Sequence, residues 1–317
     1  MLDSPSRSHQ KNTPSSTQEI FSVHIEIAEL AFCIQATEAS FLEELEERCG
    51  DFVRKSVGLA EEEDTLVPSP TAHFITVDWQ PSQELIQPGW LQPHPQKALF
   101  RSGPISQHDN RITMVKHPDG THTIQSPLFV GTFDPIHHQS KVTIYNKNAM
   151  LEITNFIMSL LPHLLLEQQG LLLHSSGLVS KGKAFLFTGP SGAGKTTAVR
   201  NSPKRQVLSD EMVIIKWNQE GKLVAYGTFM YGDWNRNGED IQAPVEGIHF
   251  LKKSQTNRIE ELGMKESFRR LCQVVCFRSP DNTTTGRILH LVEKALPYVK
   301  ALDLQADESF WSLLERR

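Results

Sequence analysis

The chain has 317 residues, enough for two modest domains, and 38% hydrophobic content with 8% aromatics is enough for packed cores, which excludes a wholly disordered protein. Its 32 Lys and Arg against 37 Asp and Glu give a net charge of −5, so the basic excess of a dedicated nucleic-acid binder is missing and nucleic acid is not an expected partner. Cys33, Cys49, Cys272 and Cys276 are too few and too scattered for a disulfide scaffold; they are expected as buried, reduced thiols, which points to the cytoplasm.

Residues 1–17 are polar, rich in Ser, Thr and Pro, and lack the apolar segment of a secretion signal, so a disordered tail is expected there. Val23, Ile25 and Ile27 then alternate with His24 and Glu26 as in a strand. Phe41, Leu45, Cys49, Phe52 and Val53 fall on one helical face behind Ser40 as N-cap. His73 to Trp79 reads as a further strand, and Met114–Lys116 with His122–Ile124 flank the Pro118-Asp119-Gly120 turn as a hairpin. The pattern predicts a mixed α+β domain over 18–148, suited to recognising a partner, with linkers at Gln80–Gln96 and Asp134–Ser140.

The character changes at residue 149. The apolar stretch Met150–Leu166 is interrupted by Glu152, Asn155 and His163 and repeats with a helical period, so it is expected as a buried helix and no membrane span. Leu171–His174, Ala184–Phe187, Gln206–Leu208, Met212–Trp217, Leu223–Tyr226, Ile248–Leu251 and Tyr298–Leu304 follow as strands, with helices over Lys265–Phe277 and Thr285–Ala295. An α/β domain over 149–317 is expected, and it should bind nucleotide when expressed alone.

Gly189-Pro190-Ser191-Gly192-Ala193-Gly194-Lys195-Thr196 matches the phosphate-binding loop G-x-x-x-x-G-K-[ST] in its strand-to-helix context. Glycines let consecutive N–H groups converge on phosphate oxygens. Gly189, Ser191, Gly192, Ala193, Gly194, Lys195, Thr196 and Thr197 are therefore the predicted nucleotide-binding residues, with Lys195 on the terminal phosphates and the Thr196 hydroxyl on Mg²⁺. Asp210-Glu211 follows at the exit of a strand expected beside the P-loop strand, where a carboxylate can hold Mg²⁺ or accept a proton. That spacing is too short for the Ras-like and ATPase branches. The pairs Cys272/Cys276 and His137/His138 lack the partners of a zinc site. The basic stretch Lys252–Arg270 is expected as a largely solvated face, and Arg236 and Arg258 are candidate phosphate-charge stabilisers or solvated surface residues. Tyr226–Ile241 is expected as a mobile loop near the acceptor.

The order strand, His174-Ser175-Ser176-Gly177, strand, P-loop, strand, acidic pair resembles the C-terminal kinase domain of HPr kinase/phosphorylase and, more distantly, phosphoenolpyruvate carboxykinase. It is most similar to the HPr kinase-like proteins found beside ribosomal-peptide biosynthesis systems, through Leu172–Gly177, Leu208–Glu211, Gly227–Phe229, Ala243–Leu251 and Asn257–Ile259. The resemblance covers about 149–317. It implies a fold of the HPr kinase/phosphoenolpyruvate carboxykinase-like P-loop type, and His174 and Asp210 at the reacting phosphate beside Lys195. Glu211 stands where many relatives carry a second Asp, which makes Thr196, Asp210 and Glu211 the candidate Mg²⁺ ligands. The glycine-rich segment with which HPr kinases dock HPr has no counterpart in Tyr226–Ile241, and the upstream metal- and oxaloacetate-binding segments of the carboxykinases are missing, so neither HPr nor oxaloacetate is expected as substrate.

The expected function is transfer of the γ-phosphoryl group of ATP to a hydroxyl, foremost a Ser or Thr of a protein or peptide, with Asp210 as proton acceptor or metal ligand. The alternatives are a small-molecule hydroxyl kinase, a phosphorylase or nucleotide hydrolase at the same site, and a non-catalytic nucleotide-sensing module. A homo-oligomer is compatible with the sequence.

Overall fold

The computed structural model describes residues 19–60, 72–80, 112–234, 236–277 and 281–316. The expected tail and nearly all of the Gln80–Gln96 linker lie outside them. The first hairpin joins β1 (Phe21–Ile27) to β2 (Leu30–Ala36) through Ala28 and Glu29, both in the left-handed region at φ 50° and 65°. After α1 (Ala39–Cys49) and a 3₁₀ turn at Gly50–Phe52 come β3 (Val53–Leu59), β4 (His73–Trp79), β5 (Thr113–Lys116), β6 (His122–Gln125), β7 (Phe129–Asp134) and β8 (Gln139–Ile144). They form one eight-stranded sheet in the order β3-β1-β2-β4-β8-β7-β6-β5, parallel at β2–β4 and β4–β8 and antiparallel elsewhere.

Glu38, not Ser40, takes the N-cap of α1, without a side-chain cap bond, and the helix stops at Cys49, so Val53 opens a strand. Asp134–Ser140 is no linker but the tight turn between β7 and β8, where Asp134 Oδ1 accepts the N–H groups of Ile136 (2.9 Å) and His137 (3.0 Å). All four cysteines are buried, and none forms a disulfide. His73 is buried, with Nε2 2.8 Å from Ser140 Oγ, and desolvation, with His138 nearby, holds its pKa down at about 4. Protonation therefore favours the unfolded chain, so stability present at pH 7 is lost as pH falls from about 6.5 towards 4. We expect a loss of about 2 kcal/mol from this group by pH 5, read as a shift in the urea midpoint that His73→Gln reduces.

Residues 149–167 form α2 (Ala149–Glu167), N-capped by Asn148. Among the described residues it is the one helix long and apolar enough to cross a membrane, but 72% of its apolar window is buried in the protein, as in a core helix. Its fully buried Ile153, Phe156, Ile157, Leu160 and Leu161 join the cluster made by the first sheet and α1, which continues into Leu172, Met212, Ile214 and Phe229 beyond the helix. A fragment beginning at residue 149 would expose these side chains, each contributing about 1.5–3 kcal/mol when buried. Contrary to the sequence expectation, such a fragment should be recovered aggregated or unfolded, a result that circular dichroism and size-exclusion chromatography would report.

The second half supplies β9 (Gly170–Ser180), β10 (Lys183–Thr188), α3 (Lys195–Arg200), β11 (Gln206–Ser209), β12 (Met212–Trp217), β13 (Leu223–Tyr226), β14 (Gln242–Lys253), β15 (Arg258–Glu261), α4 (Met264–Cys272), α5 (Asn282–Ala295), β16 (Val299–Leu304) and α6 (Phe310–Leu314). The pairings close a ring β10–β9–β12–β13–β14 back to β10; β11 joins β9, and β16 and β15 extend from β14. The long β9 makes this possible: its first half pairs with β12 and its second with β10 and β11. β9 thus separates β11 from the P-loop strand β10, which the sequence expectation had side by side. It also carries His174 in mid-strand instead of at a strand end. α4 ends five residues before Phe277 because the chain then runs beside β9, with His174 N–H on the Val274 carbonyl and Cys276 N–H on that of Leu172, both at 2.8 Å.

Candidate active site

The P-loop leaves the buried strand β10 at Thr188, whose hydroxyl donates to the His174 carbonyl at 2.9 Å and ties the end of β10 to the middle of β9. Gly189 has φ 151° and Gly194, the residue before α3, φ 115°, values that L side chains resist, and a Cβ on Gly189 would lie 2.9 Å from that of Ala193. The Ala193 N–H closes the turn on the Pro190 carbonyl at 3.0 Å. Ala193, Ala198 and Val199 rest on a cluster with Phe187, Phe310 and Trp311, so the C-terminal helix α6 backs the loop. Lys195 Nζ donates to the Gly189 carbonyl at 3.4 Å. Burial lowers its pKa, against the pull of Glu211, Asp233 and Asp210.

Two floor residues come from the neighbouring strands. His174 is buried, and its Nε2 lies 3.3 Å from Glu211 Oε1, while the Ser175 N–H donates to the Glu211 carbonyl. Asp210 points elsewhere. It is 1% exposed, with Oδ1 accepting the Gly232 N–H and Oδ2 the Trp234 N–H, each at 2.8 Å. Burial raises its pKa and the two amide bonds oppose the rise. In this conformation the Asp210 carboxylate is engaged in holding backbone, whereas Glu211 lines the same cleft as the P-loop residues. The segment 227–241 expected to be mobile is anchored by those bonds, by Ser209 Oγ donating to the Met230 carbonyl (2.7 Å), and by Arg200 Nη2 on the Asp233 carbonyl (3.0 Å). Asn235 lies outside the described residues.

A cleft of about 640 Å³ joins these groups. It is lined by Ser191, Gly192, Gly194, Lys195, Thr196 and Thr197 of the loop and the start of α3, by His174 and Glu211, by Leu151, Asn155 and Met158 on one face of α2, and by Arg48 and Tyr231. Four cations line it, Arg48, Lys195, Arg200 and Lys253, against the acids Glu211 and Asp233, so it favours an anionic ligand. Of the sequence-predicted site residues, Asp210, Gly189 and Ala193 do not line the cleft but support residues that do. Arg258 pairs instead with Glu260 at 3.1 Å, and Arg236 lies 5.6 Å over the Trp234 ring; neither lines the cleft. Arg48 and the α2 face were not predicted, because no spacing rule connects position 48 or 151 with a loop about 140 or about 40 residues further on; Tyr231 lies in the segment Tyr226–Ile241 that was expected near the acceptor.

A family model described as SynChlorMet cassette protein ScmC matches residues 141–278. The chain is similar to that family over a stretch that takes in α2, the P-loop, His174, the acidic pair and α4. No curated protein matches the chain.

Proposed function

We propose that the chain is an ATP-dependent kinase of the HPr kinase/phosphoenolpyruvate carboxykinase-like type that passes the γ-phosphoryl group to a hydroxyl, foremost a Ser or Thr of a protein or peptide. The observation that carries this reading is the convergence, in one cationic cleft, of a complete G-x-x-x-x-G-K-T loop with a carboxylate held by a histidine. The P-loop amides and Lys195 bind the phosphates and offset the charge that spreads over the transferred group. Glu211 receives the acceptor proton, and His174 keeps its carboxylate aimed at the phosphate end of the cleft. The acceptor lies along Leu151, Asn155 and Met158, which line the same cleft as the P-loop, so that donor and hydroxyl are held together there.

Mg²⁺ fits this donor set: the Thr196 hydroxyl and the Glu211 carboxylate are hard oxygen ligands beside the phosphate site, few enough to leave positions for phosphate oxygens and water. When bound it neutralises phosphate charge. The test is to incubate the full chain with γ-labelled ATP, Mg²⁺ and cell extract. A labelled polypeptide is the expected result. Label confined to small molecules would move the acceptor to that class, and phosphate release without any labelled acceptor would make the protein a hydrolase.

A further inference from the structure

The loop that holds Asp210 is gripped from the other side by the first sheet. Arg48, in the last turn of α1, donates from Nη1 to the Tyr231 hydroxyl at 2.5 Å, and its guanidinium carbon lies 3.9 Å from the Tyr231 ring centroid. Its backbone carbonyl accepts from Asn237 Nδ2 at 2.8 Å. One residue therefore holds the loop on both flanks of the stretch that contacts Asp210: Tyr231 immediately precedes Gly232, and Asn237 follows Trp234 by three positions. Close by, Phe52 meets Phe229 edge-on at 6.0 Å and Arg54 Nη2 reaches Asp240 Oδ2 at 2.5 Å.

The grip bears directly on the floor of the cleft. Gly232 is packed so closely on the acidic pair that a Cβ there would sit 2.7 Å from Glu211 Oε2. A displacement of the loop by an ångström changes the space around Glu211 and removes the amides from Asp210. Arg48 has no carboxylate partner among the described residues, and its buried Nε lacks an acceptor, so the contact carries an uncompensated desolvation cost. Packing alone gives no reason to keep a guanidinium there, whereas the placing of Tyr231 does.

We propose that Arg48 is a positioning residue: by clamping Tyr231 and Asn237 it seats the Gly232 and Trp234 amides on Asp210 and thereby sets Glu211 against His174. This rests on the kinase reading for what Glu211 does, but the clamp itself is measurable without turnover. In the full chain, hydrogen exchange followed by mass spectrometry in wild type, Arg48→Ala, Arg48→Lys and Tyr231→Phe reports the loop directly. Arg48→Ala is expected to speed exchange in peptides within 227–241 by ~10-fold or more while peptides from β9, β10 and the P-loop keep their protection. In turnover, kcat should fall ~10-fold, a larger effect than the loss of MgATP affinity that comes from removing one of the four cleft cations. Arg48→Lys should restore part of the protection, because an ammonium reaches the Tyr231 hydroxyl without the guanidinium's stacking. Loop protection equal to wild type, or protection lost everywhere at once, overturns the proposal. Should Arg48→Ala fail to fold, Tyr231→Phe and Arg48→Lys decide it in the same way: a loop as protected as wild type in both overturns it. A wild-type protein that binds ATP but neither hydrolyses nor transfers it sinks the kinase reading by itself, and the exchange data then judge the clamp separately.

Discussion

Lys195→Ala is expected to weaken ATP binding by ~10–100-fold and to reduce phosphoryl transfer by a further ~10²–10³-fold. Among the described residues its ammonium has no acceptor closer than the Gly189 carbonyl at 3.4 Å, which leaves hydrogen-bonding capacity for the oxygens of a ligand. A charge-assisted hydrogen bond to an ion is worth about 1.5–3 kcal/mol, which gives the binding loss, and removing a preorganised donor from a developing anion gives the additional loss in rate. The same change should leave the fold intact or slightly stabilised, because a cation buried to 9% exposure is costly to keep without its ligand. Titration with a fluorescent ATP analogue, turnover with γ-labelled ATP and a melting curve separate the three effects. Wild-type affinity in Lys195→Ala would detach the P-loop from nucleotide binding altogether. Lys195→Met, closer in length and uncharged, should behave like the alanine variant if charge is what matters.

The parts of this site that could be read from the sequence are those whose geometry is local. The P-loop is legible because its glycines, lysine and threonine all act within eight consecutive residues, and the strand before it is a short apolar run of unmistakable length. α2 is legible from its helical period and β12 from a short apolar run buried on both faces, each a property of one element alone. Residues whose role depends on pairing over a distance were not. β9 reads as a strand ending at His174 because Ser175, Ser176 and Gly177 look like turn residues, yet all three sit in mid-strand: Ser176 Oγ donates to the Phe187 and Lys195 carbonyls (3.4 and 3.3 Å), and Gly177 takes its place between β10 and β11. β2, β3, β7 and β8 were missed since Gly58 and Gly131 and several polar residues blur their alternation; Gly131 is there because a Cβ would run into the Phe156 ring. The acidic pair was found, but which member lines the cleft depends on two amides more than twenty residues downstream, and no local pattern encodes that.

That distinction sets up the second large effect, which separates Asp210 from Glu211. Glu211→Gln keeps size and hydrogen-bonding shape beside His174 but removes basicity, so turnover should fall by ~10²–10⁴-fold with the melting temperature near wild type; ATP affinity should stay near wild type if Glu211 is the base and fall if it holds Mg²⁺. Asp210→Asn behaves differently. The carboxylate accepts two backbone N–H groups, one on each oxygen, and an amide has one acceptor oxygen, so one of its own donors must face the N–H of Gly232 or Trp234. The cost is about 1–3 kcal/mol for the buried donor left without a partner, paid as a lower melting temperature and a loosened loop, with turnover falling as a consequence. A Mg²⁺ titration adds the remaining discrimination: if Glu211 acts chiefly by holding the ion, excess Mg²⁺ should recover part of the Glu211→Gln activity, and if it acts as the base, no Mg²⁺ concentration will. Excess Mg²⁺ should do nothing for Asp210→Asn in either case, because its defect lies in the loop. The opposite pattern, with Asp210→Asn thermally unchanged yet inactive and Glu211→Gln turning over like wild type, would return the proton-accepting role to Asp210 and require the loop at Gly232 to swing away from it during the reaction.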